Sequence, residues 1–260
     1  YITDLVDMCV QSGKSVWAVG AGNDPSFLGV NSPAELVRCE DLLQDRINAA
    51  FLDQGVILRN PGQVRISPQV HIEPGTEITG PVHIMGHTSL ASQVCIGPYV
   101  WIKDSTVQAQ AVIREFSHVE EACIEQDCQV GPYARLRPGS LVRAKARVGN
   151  FVEVKKSVLE TGSKVNHLSY IGDARVGAYA NVGAGTITCN YDGRNKHHTD
   201  IGSGAFIGSN TALVAPVSVG DNSVVGAGSV LTKDVPENML ALTRAKQKHL
   251  RLRSQSPKDE

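Results

Sequence analysis

An aliphatic residue returns at every sixth position over most of this chain, and few folds tolerate so strict a period. The series runs Ile66, Ile72, Ile78, Ile84, Leu90, Ile96 and Ile102, then slips by one residue to Val107, Ile113 and Val119. Another slip leads to Ile124, Val130, Leu136, Val142, Val148 and Val154, and a third to Leu159, Val165 and Ile171. A final run reads Ile201, Ile207, Leu213, Val219, Val225 and Leu231. A helix repeats near 3.6 residues and a half-buried strand every two, so neither accounts for six. A triangular coil does, with one hexapeptide on each flat face and its aliphatic residue pointing inward. Glycines follow many anchors, as in Ile96-Gly97, Val148-Gly149 and Ile207-Gly208, where a corner needs tight turning. At about 4.8 Å per stacked coil, residues 66–235 predict nine or ten coils and a prism about 45 Å long. A β-sandwich is the alternative, but its strand spacing varies and its turns are longer.

The period breaks at Asn190-Tyr191-Asp192-Gly193-Arg194-Asn195-Lys196-His197-His198-Thr199, a polar, turn-rich stretch expected to protrude as a loop. The prism is expected to end at Thr232-Lys233-Asp234-Val235-Pro236, with a basic tail after Arg244 that includes Lys246, Lys248, Arg251 and Arg253.

The front of the chain reads differently. Leu5, Val6, Met8 and Cys9 suggest a short helix, Ser15-Val16-Trp17-Ala18-Val19 a strand, and residues 20–25 a loop. Ser32-Pro33-Ala34-Glu35 is a helix start: Ser32 caps, Pro33 suits the first helical position and Glu35 completes a capping box. Leu36, Cys39, Leu43 and Ile47 then lie on one face of a helix expected to end near Gln54-Gly55. The expected organisation is 1–31, the end of an α/β domain; 32–60, a helical linker; 61–240, the prism; and 241–260, a tail. The chain opens at Tyr1 rather than Met, which suggests a fragment or a processed product.

A formal charge of −1 gives no electrostatic reason to expect nucleic acid as a partner. No apolar run is long enough to span a membrane, and no basic-then-apolar leader points to export, so a cytoplasmic location is expected. The six cysteines form no Cys-x-x-Cys pair and read as buried, reduced thiols.

Chemistry is expected where the repeat departs from monotony, in Asn166-His167-Leu168-Ser169-Tyr170 and in Gly183-Ala184-Gly185-Thr186-Ile187-Thr188-Cys189-Asn190-Tyr191-Asp192-Gly193. His167 is the candidate base, because an imidazole titrating near pH 6.5 suits proton removal from an amine. Tyr170, Asn181 and Asn190 lie within the same two coils. Arg137, Lys155 and Lys196 are the basic candidates; Arg137 and Lys155 are one coil apart and so are expected to stack on one face, forming a small anion site suited to a phosphate. His71, His83, His87, His118, His197 and His198 lack a spacing that would converge on zinc. No Ser or Cys sits in a nucleophile context, which favours direct attack by a substrate group.

Ala134-Arg135-Leu136-Arg137-Pro138-Gly139, Val148-Gly149-Asn150-Phe151-Val152-Glu153-Val154-Lys155-Lys156, Asn166 through Asp173 and Gly183 through Gly193 stand here in an order with a known counterpart. They resemble the acetyltransferase half of the bacterial bifunctional glucosamine-1-phosphate N-acetyltransferases and N-acetylglucosamine-1-phosphate uridylyltransferases, a hexapeptide-repeat family. The resemblance implies a mainly β chain, a left-handed parallel β-helix preceded by a helical linker and the remnant of an α/β nucleotidyltransferase domain. It implies acetyl transfer from acetyl-CoA to glucosamine 1-phosphate, in UDP-N-acetylglucosamine biosynthesis, by a homotrimer with sites where prisms meet. His167 matches the family's general base, Arg137 and Lys155 its sugar-phosphate contacts, and Tyr170 and Asn181 its sugar contacts. Lys196 matches a residue reaching the phosphate from a neighbouring subunit. Ala184, Asn190, Tyr191, Ser209, Ala227 and Arg244 match acetyl-CoA positions. Asn31 matches a Mg2+ and nucleotide ligand of the uridylyltransferase, but a lone ligand builds no Mg2+ site, so no uridylyltransferase activity is expected of this chain. A non-catalytic trimerising scaffold and an acyltransferase acting on another amino sugar are the alternative readings.

Overall fold

The computed structural model describes residues 2–20, 22 and 27–250. The chain divides into two compact units, Tyr1–Gln44 and Asp45–Glu260. Of the expected loop at 20–25, Ala21 and residues 23–25 lie outside the described residues, as do Arg251 and Arg253 of the tail.

In the first unit, helix α1 spans Ile2–Gln11. Helix α2, Pro33–Asp53, begins as its sequence demands. The Glu35 backbone N–H donates to Ser32 Oγ over 3.2 Å, and the Glu35 carboxylate accepts the Asn31 N–H at 2.8 Å. The first bond satisfies an amide that the first helical turn leaves without a partner, and the second fixes the residue just before the cap. The strand expected at 15–19 does not form: these residues are irregular, and Trp17 and Val19 are 86% and 90% exposed. A strand needs a neighbour to complete its ladder, and no described strand pairs with this one.

The second unit is a parallel β-solenoid of about ten turns, as the hexapeptide period predicts. Among the described residues its coils contribute strands in rotation to three sheets of 11, 10 and 9 strands. Below they are sheets A, B and C in that order. Register is set by the anchors themselves: Ile113 lies between Ile96 and Val130 in sheet A, and Val119 between Ile102 and Leu136 in sheet B. Every anchor of the six-residue series is buried. The alternating residues therefore face outward, in columns whose members lie one coil apart.

The one-residue slips have a structural cause. Where sheet B turns into sheet C, the step holds five residues when a single left-handed residue makes the corner, at Asp104, Glu121, Lys156 and Asp173. At Gly86 and Gly139 the same corner is one residue longer. Coils of 17 and 18 residues thus stack without disturbing the core. The inward series also continues past Ile171, through Val176 and Val182 to a buried Thr188.

The ends extend beyond the expected limits. Ile57–Arg59 already pairs with Glu77–Thr79, and Leu240–Ala241 adds a strand beyond Pro236 by pairing with Val224–Val225. The last turns of α2 close one end. Ile47 and Phe51 pack on the core, and the buried Asn48 donates to the Pro61 and Val64 carbonyls. The break after Asn190 does protrude, held by an antiparallel bridge between Tyr191 and Lys196. Only Cys128 among the six free cysteines is buried, its thiol pushed up to about 12 chiefly by burial. Cys95 is exposed because it occupies an outward position on sheet A, which corrects the expectation of six buried thiols.

Leu136→Ala is expected to cost about 2–5 kcal/mol, because the rigid coils around it cannot collapse into the void. Chemical denaturation of the variant beside the parent measures it, and a loss under about 1 kcal/mol contradicts the packed-prism account.

Candidate active site

His167 is the last residue of the strand Lys164–His167 in sheet A, just before the chain turns at Leu168 into sheet B. Its position is held from several sides. Ser169 Oγ donates to the His167 carbonyl at 2.8 Å, and the Leu168 N–H donates to the Asn150 carbonyl at 3.0 Å. The imidazole is exposed, and its Nδ1 lies 2.6 Å from Oδ1 of Asn150, the residue paired with it one coil earlier. Both border a groove of about 330 Å³ whose wall includes Arg114, Gln129, Arg147 and Asn166. Gly149 keeps that wall shallow, since a Cβ there would collide with the Asn166 carbonyl.

Sheet B carries the cationic candidates. The Arg137 N–H donates to the Val154 carbonyl, which places Arg137 and Lys155 at equivalent outward positions of successive coils, as their spacing predicts. The Arg137 guanidinium is engaged by Glu153 at 2.8 Å. Lys155 instead meets Lys196, which the protruding loop brings back against sheet B. The neighbouring Lys155 amine holds the Lys196 amine below its ordinary range, while Asp173 and Tyr170 act in the opposite direction. Asp173 also accepts a 2.5 Å bond from Asn190 Nδ2, which ties the root of the loop to this corner. Tyr170 lies over Gly172, the strand partner of Lys155, where any Cβ would strike its hydroxyl.

The loop has its own anchor. Asp192 accepts the backbone N–H groups of Asn195 and Arg194 and sits 2.7 Å from His197 Nε2. These bonds, the one from Asn195 foremost, pull its carboxyl down to about 2. The carboxylate's contribution is therefore complete above its ordinary value of 3.8 and is lost only as pH falls towards about 2. Tyr191 donates its hydroxyl to the Gly193 carbonyl at 2.8 Å within the same loop.

The acetyl-CoA candidates form a track along the solenoid. The Asn210 N–H donates to the Ala184 carbonyl, the Gly228 N–H to the Ser209 carbonyl, and Arg244 Nη1 to the Ala227 carbonyl at 2.7 Å. Ala184, Ser209 and Ala227 occupy successive coils beside Gly183, Gly208 and Gly226, where added Cβ atoms would strike the next coil or Leu242. The result is a shallow strip, suited to a thin ligand lying along the axis.

The candidates thus fall into groups. Arg137, Lys155, Tyr170 and Lys196 gather on sheet B, with Asn190 joined through Asp173. His167 and Asn181 lie on sheet A, across the corner at Leu168, with Asn181 paired to Lys164. Asn31 stays with the α2 cap, and no cluster of three His, Cys, Asp or Glu side chains suited to a metal occurs among the described residues. No helix among those residues is long and apolar enough to cross a membrane. Sequence reasoning missed Asn150, Glu153 and Asp173. The 17-residue interval from Asn150 to His167, one short coil, was the available signal.

Lys155→Met is expected to return the Lys196 amine upward towards the ordinary lysine range, read from its side-chain ¹⁵N titration. An unchanged midpoint contradicts the pairing of these amines.

A family model described as the hexapeptide repeat of succinyl-transferase matches residues 199–233. The chain is 54% identical over 250 residues to the bifunctional protein GlmU of Nitratidesulfovibrio vulgaris (strain DP4), covering 96% of this chain and 55% of that protein. It is 55% identical over 251 residues to GlmU of Oleidesulfovibrio alaskensis, with the same coverage. A solved LpxA, a UDP-N-acetylglucosamine acyltransferase from Bacteroides fragilis, is 17% identical with a TM-score of 0.41, over 68% of this chain and 71% of that one. The chain spans about half the length of the curated relatives it matches. Across nearly its whole length it is a close relative of about half of a bifunctional GlmU protein.

Proposed function

We propose that the chain transfers an acetyl group from acetyl-CoA to the 2-amino group of glucosamine 1-phosphate, giving N-acetylglucosamine 1-phosphate for UDP-N-acetylglucosamine synthesis. The observation that carries this reading is the exposed imidazole of His167 beside a polar groove, in a chain 54% identical to a GlmU protein. The Lys155 and Lys196 amines support it further: two like charges held together are relieved by a bound dianion.

The sugar phosphate docks against Arg137, Lys155 and Lys196, with Tyr170 and Asn181 holding the ring. Its neutral amine attacks the thioester carbonyl, His167 takes the ammonium proton, and the tetrahedral intermediate collapses with release of the CoA thiolate. The thioester reaches this point from the strip along Ala184, Ser209 and Ala227, with Asn190, Tyr191 and Arg244 beside it.

A homotrimer belongs to the same reading. His167 stands beside the Leu168 corner and the lysine pair at the opposite end of the sheet B strands, which favours a site completed by a second chain. Along that corner Tyr99, Phe116, Tyr133 and Phe151 stack with ring centroids 4.8–5.2 Å apart and stay largely exposed. That ladder supports a subunit contact there. A cytoplasmic location and a Mg2+-dependent uridylyltransferase activity in a longer parent protein complete the proposal. No step in this chain runs through the metal.

Release of free CoA tests it. Release with glucosamine 1-phosphate, but not with glucosamine 6-phosphate or glucosamine, is expected; none with the 1-phosphate contradicts the assignment. His167→Ala is expected to lower kcat by at least about a hundredfold. Lys155→Ala is expected to raise KM for the sugar phosphate and leave that for acetyl-CoA unchanged. A change confined to acetyl-CoA overturns the phosphate assignment.

A further inference from the structure

We infer that Asn150 is a positioning residue that fixes the tautomer of His167. The inference deepens the proposed function, because it names the group that makes His167 a competent base.

Asn150 ends the strand Arg147–Asn150, and register sets it opposite His167 on the neighbouring strand. Its backbone has little freedom. The preceding Gly149 lies flush against the Asn166 carbonyl, and the Asn150 carbonyl accepts the Leu168 N–H. Phe151, the next residue, stacks on Tyr133 at 5.2 Å, and its N–H donates to the Tyr133 carbonyl. From this fixed base the side-chain amide directs Oδ1 at His167 Nδ1 over 2.6 Å.

An amide oxygen only accepts, so Nδ1 must carry the proton. Nε2 then keeps its lone pair. A free neutral imidazole favours the opposite tautomer, with the proton on Nε2, and that form presents a donor where the reaction needs an acceptor. The bond made by one ring nitrogen decides the state of the other. Asn150 therefore reverses the intrinsic preference of the ring.

The test uses the full chain with ¹⁵N-labelled histidine, read by long-range ¹H–¹⁵N correlation at a pH where the His167 ring is neutral. The parent is expected to show His167 as the Nδ1–H tautomer. Asn150→Ala is expected to shift the ring towards Nε2–H and to lower kcat by roughly tenfold or more, less than removal of the base itself, with both KM values within about twofold of the parent. Asn150→Asp retains an acceptor, so it is expected to keep the Nδ1–H tautomer and to recover most of kcat. That recovery separates positioning from a loss of folding. Nε2–H in the parent, or a tautomer unmoved by Asn150→Ala, overturns the inference. The tautomer is read without substrate, so it decides this point even if the parent fails to acetylate glucosamine 1-phosphate, an outcome that sinks the proposed function alone.

Discussion

Everything in the solenoid depends on one column of contacts, the aliphatic side chains that fill the prism from Ile66 to Leu231. Each fully buried aliphatic contributes about 1.5–3 kcal/mol. The geometric consequence reaches further than the energy. With the inward residue of each strand fixed, strand parity determines which neighbours face outward. A one-residue slip along a strand would exchange the two sets, so burial enforces the register of the surface as well as that of the core. Coils of 17 and 18 residues preserve that parity because the length change is absorbed at one corner, where Asp104, Glu121, Lys156 and Asp173 take left-handed backbone.

A surface built in columns places side chains one coil apart with little local cost, and the three faces use this differently. On sheet C the charges neutralise one another: Arg175 is bidentate to Asp200 at 2.6 and 3.0 Å, and Arg143 meets Glu125 at 2.6 Å. On sheet B, Lys155 is set against Lys196, and the cost of that arrangement is visible in the depressed Lys196 amine. Sheet A carries the groove, with Asn150 and His167 at its rim. Paired charges stabilise a face, whereas like charges held together leave it ready for an anion. The loop after Asn190 is what makes the second arrangement possible, because it returns Lys196 to a column that the repeat alone would not have given a second amine.

The fold was legible because its signal is periodic: a six-residue recurrence survives any single substitution, and the inward residues follow from counting. The capping box at Ser32 and Glu35 was equally readable, being a local interaction between residues three apart. Val176, Val182 and Thr188 escaped the count because a slip at Asp173 and a polar anchor hide the period there. The segment at 15–19 has the composition of a strand, but a strand is a relation between two segments, and composition shows only one of them. In the site, Arg137, Lys155 and His167 were found from residue type and spacing. Their companions Asn150, Glu153 and Asp173 were not, since an asparagine or a carboxylate on a solvated face looks ordinary until register sets it opposite its partner.

The central claim is that the cationic column of sheet B, with Arg137, Lys155 and Lys196, and His167 at the corner where that sheet begins serve one phosphate-sugar site. Chemical-shift mapping of the side chains while glucosamine 1-phosphate is titrated tests it most directly. The account predicts saturable shifts at Arg137, Lys155, Tyr170, Lys196 and His167, with Arg175 on sheet C unmoved. Shifts confined to sheet C, or no saturable change at the lysine pair, would contradict it.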